Sequence, residues 1–323
     1  MTTILDFFEA LQYPWVWRPL LTAIIISVVG AIVGTFMVLR KLVFFANGIA
    51  HSAFAGGALG LLLGFSSIPL ILIPVSIFAI CTALIVGLII QKTKVSNETA
   101  IGILFSVSLA LGVLFVNMYN QYNVNVSSLL FGSLASISAT EFITVITFGS
   151  IILPLVLSMK KSLFYMTFDN ELAQANGIPT KGLSFTFLIL AALSIIICVS
   201  TVGIILVMAF IVTPAATAYQ YTYRLNRLFF YSSIIGVVGS FSGFIIAYIY
   251  NLSSSALIAL ILVVFFIISM IISPKRRAHK MPDIDRKYCR ACEHLVKGVS
   301  CTYCDIDALD HHDFVNEEVK KLE

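Results

Sequence analysis

Charged side chains are scarce in this sequence of 323 residues, and acidic ones are the scarcer of the two signs. Only 11% of the residues are charged and 59% are apolar, whereas a soluble domain has about 25% charged and about 45–50% apolar residues. Between Arg18 and Lys275 every acid lies at or beyond the end of an apolar run: Glu98, Glu141, Asp169 and Glu171. This composition excludes an ordinary soluble domain and predicts a chain embedded in a lipid bilayer.

Motifs of several enzyme and carrier classes are missing as well. No G-x-x-x-x-G-K-[ST] loop is present, so the chain does not bind ATP in that way and is not expected to be an enzyme. The absence of H-E-x-x-H counts against a membrane metalloprotease. Charged residues in the middle of apolar runs, which secondary transporters commonly use, are almost absent too. An ATPase-independent secondary transporter or channel for metal ions stays open as the alternative function.

Nine apolar runs of roughly 20 residues, a length that spans a hydrocarbon core of ~30 Å, follow one another along the chain. They cover residues 17–39, 42–64, 67–91, 99–119, 140–159, 183–201, 203–222, 228–250 and 255–273. The pattern predicts an all-α polytopic membrane protein with about nine transmembrane helices, or eight if one run is re-entrant or interfacial. It also predicts three regions: an external or interfacial N-terminal segment (1–16), a transmembrane domain (17–275) and a small polar tail (276–323).

The basic residues predict the topology. They follow the odd-numbered runs and are absent after the even-numbered ones, at Arg40, Lys41, Lys92, Lys94, Lys160, Lys161, Lys181, Arg224, Arg227 and in the cluster 275–280. Because cytoplasmic loops carry the excess of Lys and Arg, we expect a multi-pass protein of the cell membrane with an external N-terminus and a cytoplasmic C-terminus. The net charge of +4 then reflects topology, and no nucleic-acid partner is expected.

One ionisable residue, His51, lies well inside an apolar run, and Asn47 precedes it by one helical turn on the same face. An ionisable residue at membrane depth is a candidate functional residue. Neutral imidazole is the commonest protein ligand for transition metals, and an amide oxygen can assist weakly. The alternative is a His that hydrogen-bonds a neighbouring helix or lies near the membrane interface. His51 and Asn47 are therefore a candidate ligand pair for a metal ion.

Small residues and one proline shape the apolar runs. Gly56, Gly60 and Gly64 recur at intervals of four residues, which predicts a smooth strip that another helix can approach closely. This strip indicates packing and carries no information about substrate. Pro214 is predicted to kink the seventh run near its cytoplasmic end.

The gap after the fifth run reads SLFYMTFDNELAQANGIPTKG. Asp169 can cap a helix start, and Gly177 followed by Pro179 can end the helix, so a short capped surface helix is expected. Glu171, Ala173 and Gly177 have the spacing E-x-A-x-x-x-G, which resembles the EAA loop of ABC importer permeases. In that family the loop forms a short coupling helix that docks on the ATPase subunit.

Five segments in order resemble one family. FMVLRKLVFFANGIAHSAFAGGALGLLLG, NETAIGILFSVSLALGVLF, SSLLFGSLASIS, FDNELAQANGI and VGIILVMAFIVTPAATA are similar to segments of the membrane permeases of zinc and manganese ABC importers, over roughly residues 15–273. The resemblance implies a homodimeric permease with separate ATPase subunits and an extracellular metal-binding protein. It leaves zinc, manganese and iron open as cargo. It also implies a metal path in the second run, where the family has an Asp and a His; His51 matches the His, and Asn47 stands where the Asp is usual.

The tail carries a different pattern of metal ligands, in two C-x-x-C pairs formed by Cys289, Cys292, Cys301 and Cys304. Four thiolates on such turns suit tetrahedral zinc, and disulfides are rare on the reducing side of the membrane. We therefore expect a structural zinc site in the tail, which is either a folding element or a regulator. A second group of residues is either a metal cluster or part of a solvated acidic tail: His294, His311, His312, Asp305, Asp307, Asp310 and Asp313.

Overall fold

The computed structural model describes residues 9–273 except 66, 94, 120–131, 133, 135–136, 169, 205 and 223, and four short strands between 286 and 307. The chain divides into two compact units, Met1–Met270 and Ile271–Glu323. In the described residues, regular structure is helical as far as Ile272 and consists of β-strands beyond it.

The helices with described bounds follow the apolar runs. In chain order they are α1 (Pro14–Leu39), α2 (Val43–Leu62), α3 (Ile68–Lys92), α4 (Asn97–Met118), α5 (Ala139–Ser158), α6 (Lys160–Phe168), α7 (Asn170–Ala175), α8 (Thr180–Val202), α9 (Val207–Tyr219), α10 (Leu225–Tyr250) and α11 (Ser254–Ile272). All of them except α6 and α7 coincide with one of the nine runs. Helices α6 and α7 lie in the gap after the fifth run, which we call the α6–α7 loop (residues 160–179).

Seven helices of the described part of the chain are long and apolar enough to cross a bilayer, namely α1, α3, α4, α5, α8, α10 and α11. Helix α9 has only 13 residues. Helix α2 has 20 residues and contains Asn47, His51 and several glycines, and it is not among these seven. The predicted helical, multi-pass architecture is therefore confirmed, whereas the count of nine spans stays a prediction.

Burial separates central helices from peripheral ones. Helices α1, α2 and α8 are mostly buried, whereas α4, α5 and α11 expose long apolar side chains such as Ile103, Ile143 and Leu260. Exposed apolar side chains suit a lipid-facing surface, since lipid tails are as apolar as they are. Helix α2, in contrast, is enclosed by protein, which is where membrane proteins tolerate polar side chains.

Two of the scarce acids lie at helix starts. Glu141 forms a capping box with Ser138: Ser138 N–H donates to Glu141 Oε2 at 2.8 Å, and Glu141 N–H donates to Ser138 Oγ at 3.2 Å. Glu98 lies in the first turn of α4, where Ser96 Oγ accepts from Thr99 N–H at 3.2 Å. Negative charge is favourable at a helix N-terminus, which explains why these acids occur at the ends of apolar runs.

Small and polar residues join α1 to α10. Ser27 Oγ is hydrogen-bonded to Ser240 Oγ, and Thr35 Oγ1 lies 3.4 Å from Ser232 Oγ. A Cβ added at Gly236 would lie 3.2 Å from Ser27 Cβ, so the two backbones approach closely, as small residues permit in membranes. Helix α1 also packs along α9 and thus lies at the centre of the bundle.

The second unit contains a four-stranded antiparallel sheet in the order β1 (Arg286–Cys289), β2 (His294–Lys297), β3 (Ser300–Cys301) and β4 (Ile306–Asp307). The register pairs Cys289 with His294 in β1 and β2, and Cys301 with Ile306 in β3 and β4. Each C-x-x-C pair therefore begins at the last residue of a strand that forms a hairpin with the next.

Candidate functional site

Asn47 and His51 form a polar stripe on α2. Both residues are half-buried, whereas residues 52–58 of the following turns are all buried. Side chains four residues apart leave a helix on the same face. The structure therefore places the two predicted ligands on the same face of α2, where both remain partly accessible in the single chain.

The imidazole of His51 is only partly satisfied. Its Nδ1 is shielded from solvent and has no hydrogen-bond partner among the described residues. The His51 ring makes an edge-to-face contact with the ring of Phe105 in α4. The ring centres are 4.6 Å apart, and the angle between the ring planes is 84°. Buried polar atoms are nearly always hydrogen-bonded. An orphaned ring nitrogen is thus available to a ligand that the isolated chain lacks.

Helices α2 and α4 pack closely on both sides of His51. A Cβ added at Gly48 would lie 3.1 Å from Ile101 Cγ2, and one added at Gly112 would lie 2.6 Å from Phe54 Cδ1. These contacts fix the position of Phe105 relative to the polar stripe. The phenyl ring borders the imidazole on one side and an open groove on the other.

This groove runs along the exposed face of α4 and has a volume of about 700 Å³. All of its lining residues come from α4: Phe105, Ser106, Leu109, Ala110, Val113, Leu114, Asn117 and Met118. A groove lined by one helix is open on the opposite side. The α4 face next to His51 can therefore pack against lipid or against another protein chain.

The ligand supply around His51 is small. The described residues contain no group of three or more His, Cys, Asp or Glu side chains that could hold a metal ion. A single chain thus offers one imidazole nitrogen and one amide oxygen on the polar stripe. Two neutral ligands bind a transition metal weakly compared with the four-ligand sites of structural metals.

The glycine strip of α2 lies against α3 for two of its three members. A Cβ added at Gly56 would lie 2.6 Å from Pro74 O, and one added at Gly60 would lie 2.9 Å from Pro74 Cγ. Gly64 differs from the packing prediction: it follows the end of α2 with φ of +81°, and an added Cβ would meet no described atom within 4 Å. Gly64 therefore forms the turn after α2, where its conformation favours glycine.

Pro214 lies inside α9 and is buried. Its ring removes one backbone donor from the helix ladder. The kink predicted from the sequence stays a prediction.

The α6–α7 loop combines a buried side with an exposed one. Ala173 of α7 is 1% exposed and belongs to the core of the membrane unit, whereas Glu171 and Gly177 are exposed. Gly177 has φ of +77°, and its N–H donates to Gln174 O at 2.9 Å, so it ends α7 as the sequence suggests. Asp169, the predicted cap, lies outside the described residues. The loop is thus a short helix anchored by one face with its other face open to a partner.

The four tail cysteines are described only in part. Cys289 and Cys301 are the last residues of β1 and β3, and Cys292 and Cys304 lie outside the described residues. The backbone therefore places the start of each C-x-x-C pair at the end of a hairpin strand.

The sequence of the membrane unit decides its family. The model of the ABC 3 transport family matches residues 12–273. The chain belongs to the ABC 3 transport family. This finding confirms the resemblance drawn from the five segments.

Relatives within this family cover nearly the whole membrane unit. The chain is 31% identical over 271 residues to the manganese transport system membrane protein MntC of Listeria monocytogenes, covering 84% of this chain and 95% of the relative. It is 31% identical to the manganese import system permease protein ScaB of Streptococcus parasanguinis, covering 86% of this chain and 98% of the relative. The solved structure of PsaBC from Streptococcus pneumoniae in complex with Fab superimposes with a TM-score of 0.76 at 32% identity, covering 86% of this chain and 99% of that chain.

Sequence reasoning missed two contacts, one at the polar stripe and one at the end of α1. Phe105 lies in an apolar run and gave no signal of its contact with His51. Arg40 was interpreted only as a topological charge, yet its guanidinium contacts Ser184 of α8. Nothing in the sequence signals this contact, because Arg40 and Ser184 are 144 residues apart.

Proposed function

We propose that the chain is the membrane permease of an ABC importer for a divalent transition metal, with manganese as the first candidate cargo ahead of zinc and iron. Membership of the ABC 3 transport family supports the transport role. Relatives whose names state manganese transport or import support the cargo. The observation that carries the site is the orphaned, buried Nδ1 of His51 on a helix enclosed by protein.

His51 and Asn47 act on the metal as transient ligands in this proposal. A neutral imidazole offers a lone pair, and the Asn47 oxygen is a hard ligand that suits manganese. Weak, incomplete coordination fits a path, because an ion must leave a pore site as readily as it enters. An amide where the family usually has a carboxylate lowers the negative charge of the path, so release is faster and affinity lower than with Asp.

A second copy of the chain completes the path. One polar stripe supplies only two candidate ligands, the described residues hold no group of three or more His, Cys, Asp or Glu side chains, and the exposed α4 groove lies beside the stripe. Packing of two copies along this side would bring two His51–Asn47 pairs towards a shared pore. Symmetric homodimers are the commonest soluble oligomers, because a two-fold axis pairs identical faces and leaves neither one open. Two α4 faces of this chain can pair in the same way.

The α6–α7 loop is the docking element for a separate ATPase subunit. Its anchored Ala173 and exposed Glu171 suit a helix that transmits force from a partner to the membrane unit. An extracellular solute-binding protein delivers the metal at the opposite side. In this arrangement all nine apolar helices enter the membrane, with the N-terminus outside and the C-terminus in the cytoplasm.

The tail holds a structural zinc ion through Cys289, Cys292, Cys301 and Cys304. The start of each C-x-x-C pair at the end of a hairpin strand fits this donor set, because two turns carrying two thiolates each can surround one tetrahedral ion. Such an ion would stabilise a unit that is too small to form a large core.

The experiment is uptake of radiolabelled manganese, zinc and iron by cells that express the complete system. The control is the same system with the ATPase subunit inactivated by substitution of its phosphate-loop lysine. We expect one metal to accumulate and the control to abolish its uptake. Uptake that survives loss of the ATPase would overturn the proposal in favour of a secondary transporter.

A further inference from the structure

Arg40 differs from the exposed basic residues in the loops of the membrane unit. Lys41, Lys92, Arg224 and Arg227 are exposed, as expected of charges that set topology. The Arg40 guanidinium is instead largely enclosed: its Nη1 is shielded from solvent, and burial lowers the pKa of Arg40 to about 10. Arg40 still carries its charge at neutral pH, so the fold encloses a cation at the end of α1.

Two residues of α8 hold this guanidinium. Nη2 donates a hydrogen bond of 2.9 Å to Ser184 Oγ, and Cζ lies 5.2 Å from the centre of the Phe187 ring, within cation–π range. In the described part of the chain, no carboxylate pairs with Arg40, and Nη1 has no hydrogen-bond partner. Enclosing a charge with so few partners costs stability. Among the described residues, Ser184 and Phe187 are thus the groups that hold the guanidinium.

Arg40 is tightly connected to the start of α2. Leu42 N–H donates to Met37 O at 2.8 Å, and Lys41 adopts a left-handed conformation with φ of +55°. Helix α2 begins directly afterwards, at Val43. Because this turn is short and hydrogen-bonded, a displacement of Arg40 displaces the first turn of α2 and the polar stripe that follows.

Ser184 is connected as closely to the α6–α7 loop. Ile178 N–H donates to Ala173 O at 3.1 Å, and Thr180 N–H donates to Ile178 O at 2.8 Å. Helix α8 begins at Thr180, and Ser184 lies one turn further along. Movement of α7 is therefore passed to the turn of α8 that holds Arg40.

We propose that Arg40 is a positioning residue that links the α6–α7 loop, through Ser184 and Phe187, to the turn before the metal-path helix α2. The inference rests on the proposed function, since it requires an ATPase that acts on the loop. Arg40 touches neither the metal nor the ATPase in this account. It determines how much of the loop movement reaches Asn47 and His51.

The test uses the full complex in liposomes and measures metal ions transported per ATP hydrolysed. Arg40→Gln removes the guanidinium, and Ser184→Ala removes only its hydrogen bond. The matched control is Arg227→Gln, which removes the same charge at an exposed position of α10. We expect the transport ratio to fall roughly fivefold or more in Arg40→Gln, the lower end of measured couplings between sites, less in Ser184→Ala, and not at all in the control.

The ratio separates a coupling role from a structural one, because misfolded molecules contribute to neither transport nor stimulated hydrolysis. If Arg40→Gln does not assemble, Ser184→Ala alone must still lower the ratio. An unchanged ratio in the assembled variants overturns the inference while leaving the permease function intact. Absence of ATP-dependent uptake by the wild type would instead overturn the proposed function itself.

Discussion

Helix α2 and the C-terminal tail both carry residue types that can bind transition metals, but these candidate ligands differ in number and kind. The polar stripe of α2 offers one imidazole and one amide on a half-buried face, whereas the tail offers four cysteines in two C-x-x-C pairs. Two neutral ligands hold a metal weakly, while four thiolates hold zinc tightly enough to fold a small domain. If both proposed sites are real, the number and kind of ligands distinguish a transient transport site on α2 from a permanent structural site in the tail.

Removing the imidazole should have the largest effect on transport. In His51→Ala the path loses its one nitrogen ligand, and we expect the initial rate of manganese uptake to fall by roughly 100-fold or more, since even indirect partners of metal ligands are worth 10–100-fold. The neighbouring Ser52→Ala is the control, because Ser52 Oγ only donates to Ile49 O of its own helix at 2.7 Å. Near-normal uptake by His51→Ala at matched expression would remove α2 from the path.

Adding a charge should make α2 behave more like the tail. Asn47→Asp supplies a carboxylate beside His51, and ligand charge count is a main determinant of metal affinity. We expect the KM for manganese to fall by roughly tenfold and the maximal rate to fall as well, because release becomes slower. The control Asn226→Asp adds the same charge at an exposed position of α10. A higher maximal rate together with an unchanged KM would contradict the view that Asn47 faces the metal.

Disrupting the packing of α2 against α3 should lower the stability of the protein, with a smaller effect on transport than loss of a ligand. A Cβ at Gly56 would lie 2.6 Å from Pro74 O of α3, so Gly56→Ala forces the two backbones apart and should destabilise the protein by about 1–3 kcal/mol. Thermal unfolding of the purified protein measures the loss. Gly102→Ala is the matched control, since a Cβ there meets no described atom within 4 Å. Equal midpoints for the two variants would mean that α2 and α3 are packed less closely than described.

Substituting the tail cysteines should affect uptake least. Cys289→Ser combined with Cys301→Ser removes one thiolate from each pair, so zinc bound to the purified protein should be lost while the uptake rate stays close to that of the wild type. Cys81→Ser, at an exposed position of α3, should retain the zinc. Metal analysis and uptake assays are run on the same preparations. A large loss of uptake in the double variant would show that the tail takes part in transport and is not only a structural zinc site.

Much of α2 could be predicted from the sequence, because polar residues are conspicuous in an apolar run. His51 and Asn47 were found in this way, and their shared face follows from helix geometry alone. Phe105 could not be found, since its contact depends on how α2 and α4 pack. The family resemblance needed no packing contact, because it rests on five sequence segments that occur in the same order as in the family.

The seventh run shows that an apolar run and the helix it contains can differ in length. The seventh run begins at residue 203, yet α8 ends at Val202, Gly203 follows it with φ of +94°, and α9 begins only at Val207. Apolar residues between the two helices leave α9 with 13 residues. Gly64 makes a related point, because its positive φ favours glycine whatever its spacing from Gly60, and its predicted packing role stays a prediction.

The measurement that tests the account most directly is electron spin-echo spectroscopy of Mn²⁺ in the complete complex, arrested with an ATPase subunit that binds but does not hydrolyse ATP. Mn²⁺ held on the polar stripe should show the ¹⁴N coupling of a directly bound imidazole, and this signal should vanish in His51→Ala while persisting in Ser52→Ala. Coupling only to oxygen ligands, or a ¹⁴N signal that survives His51→Ala, would contradict the assignment of α2 as the metal path.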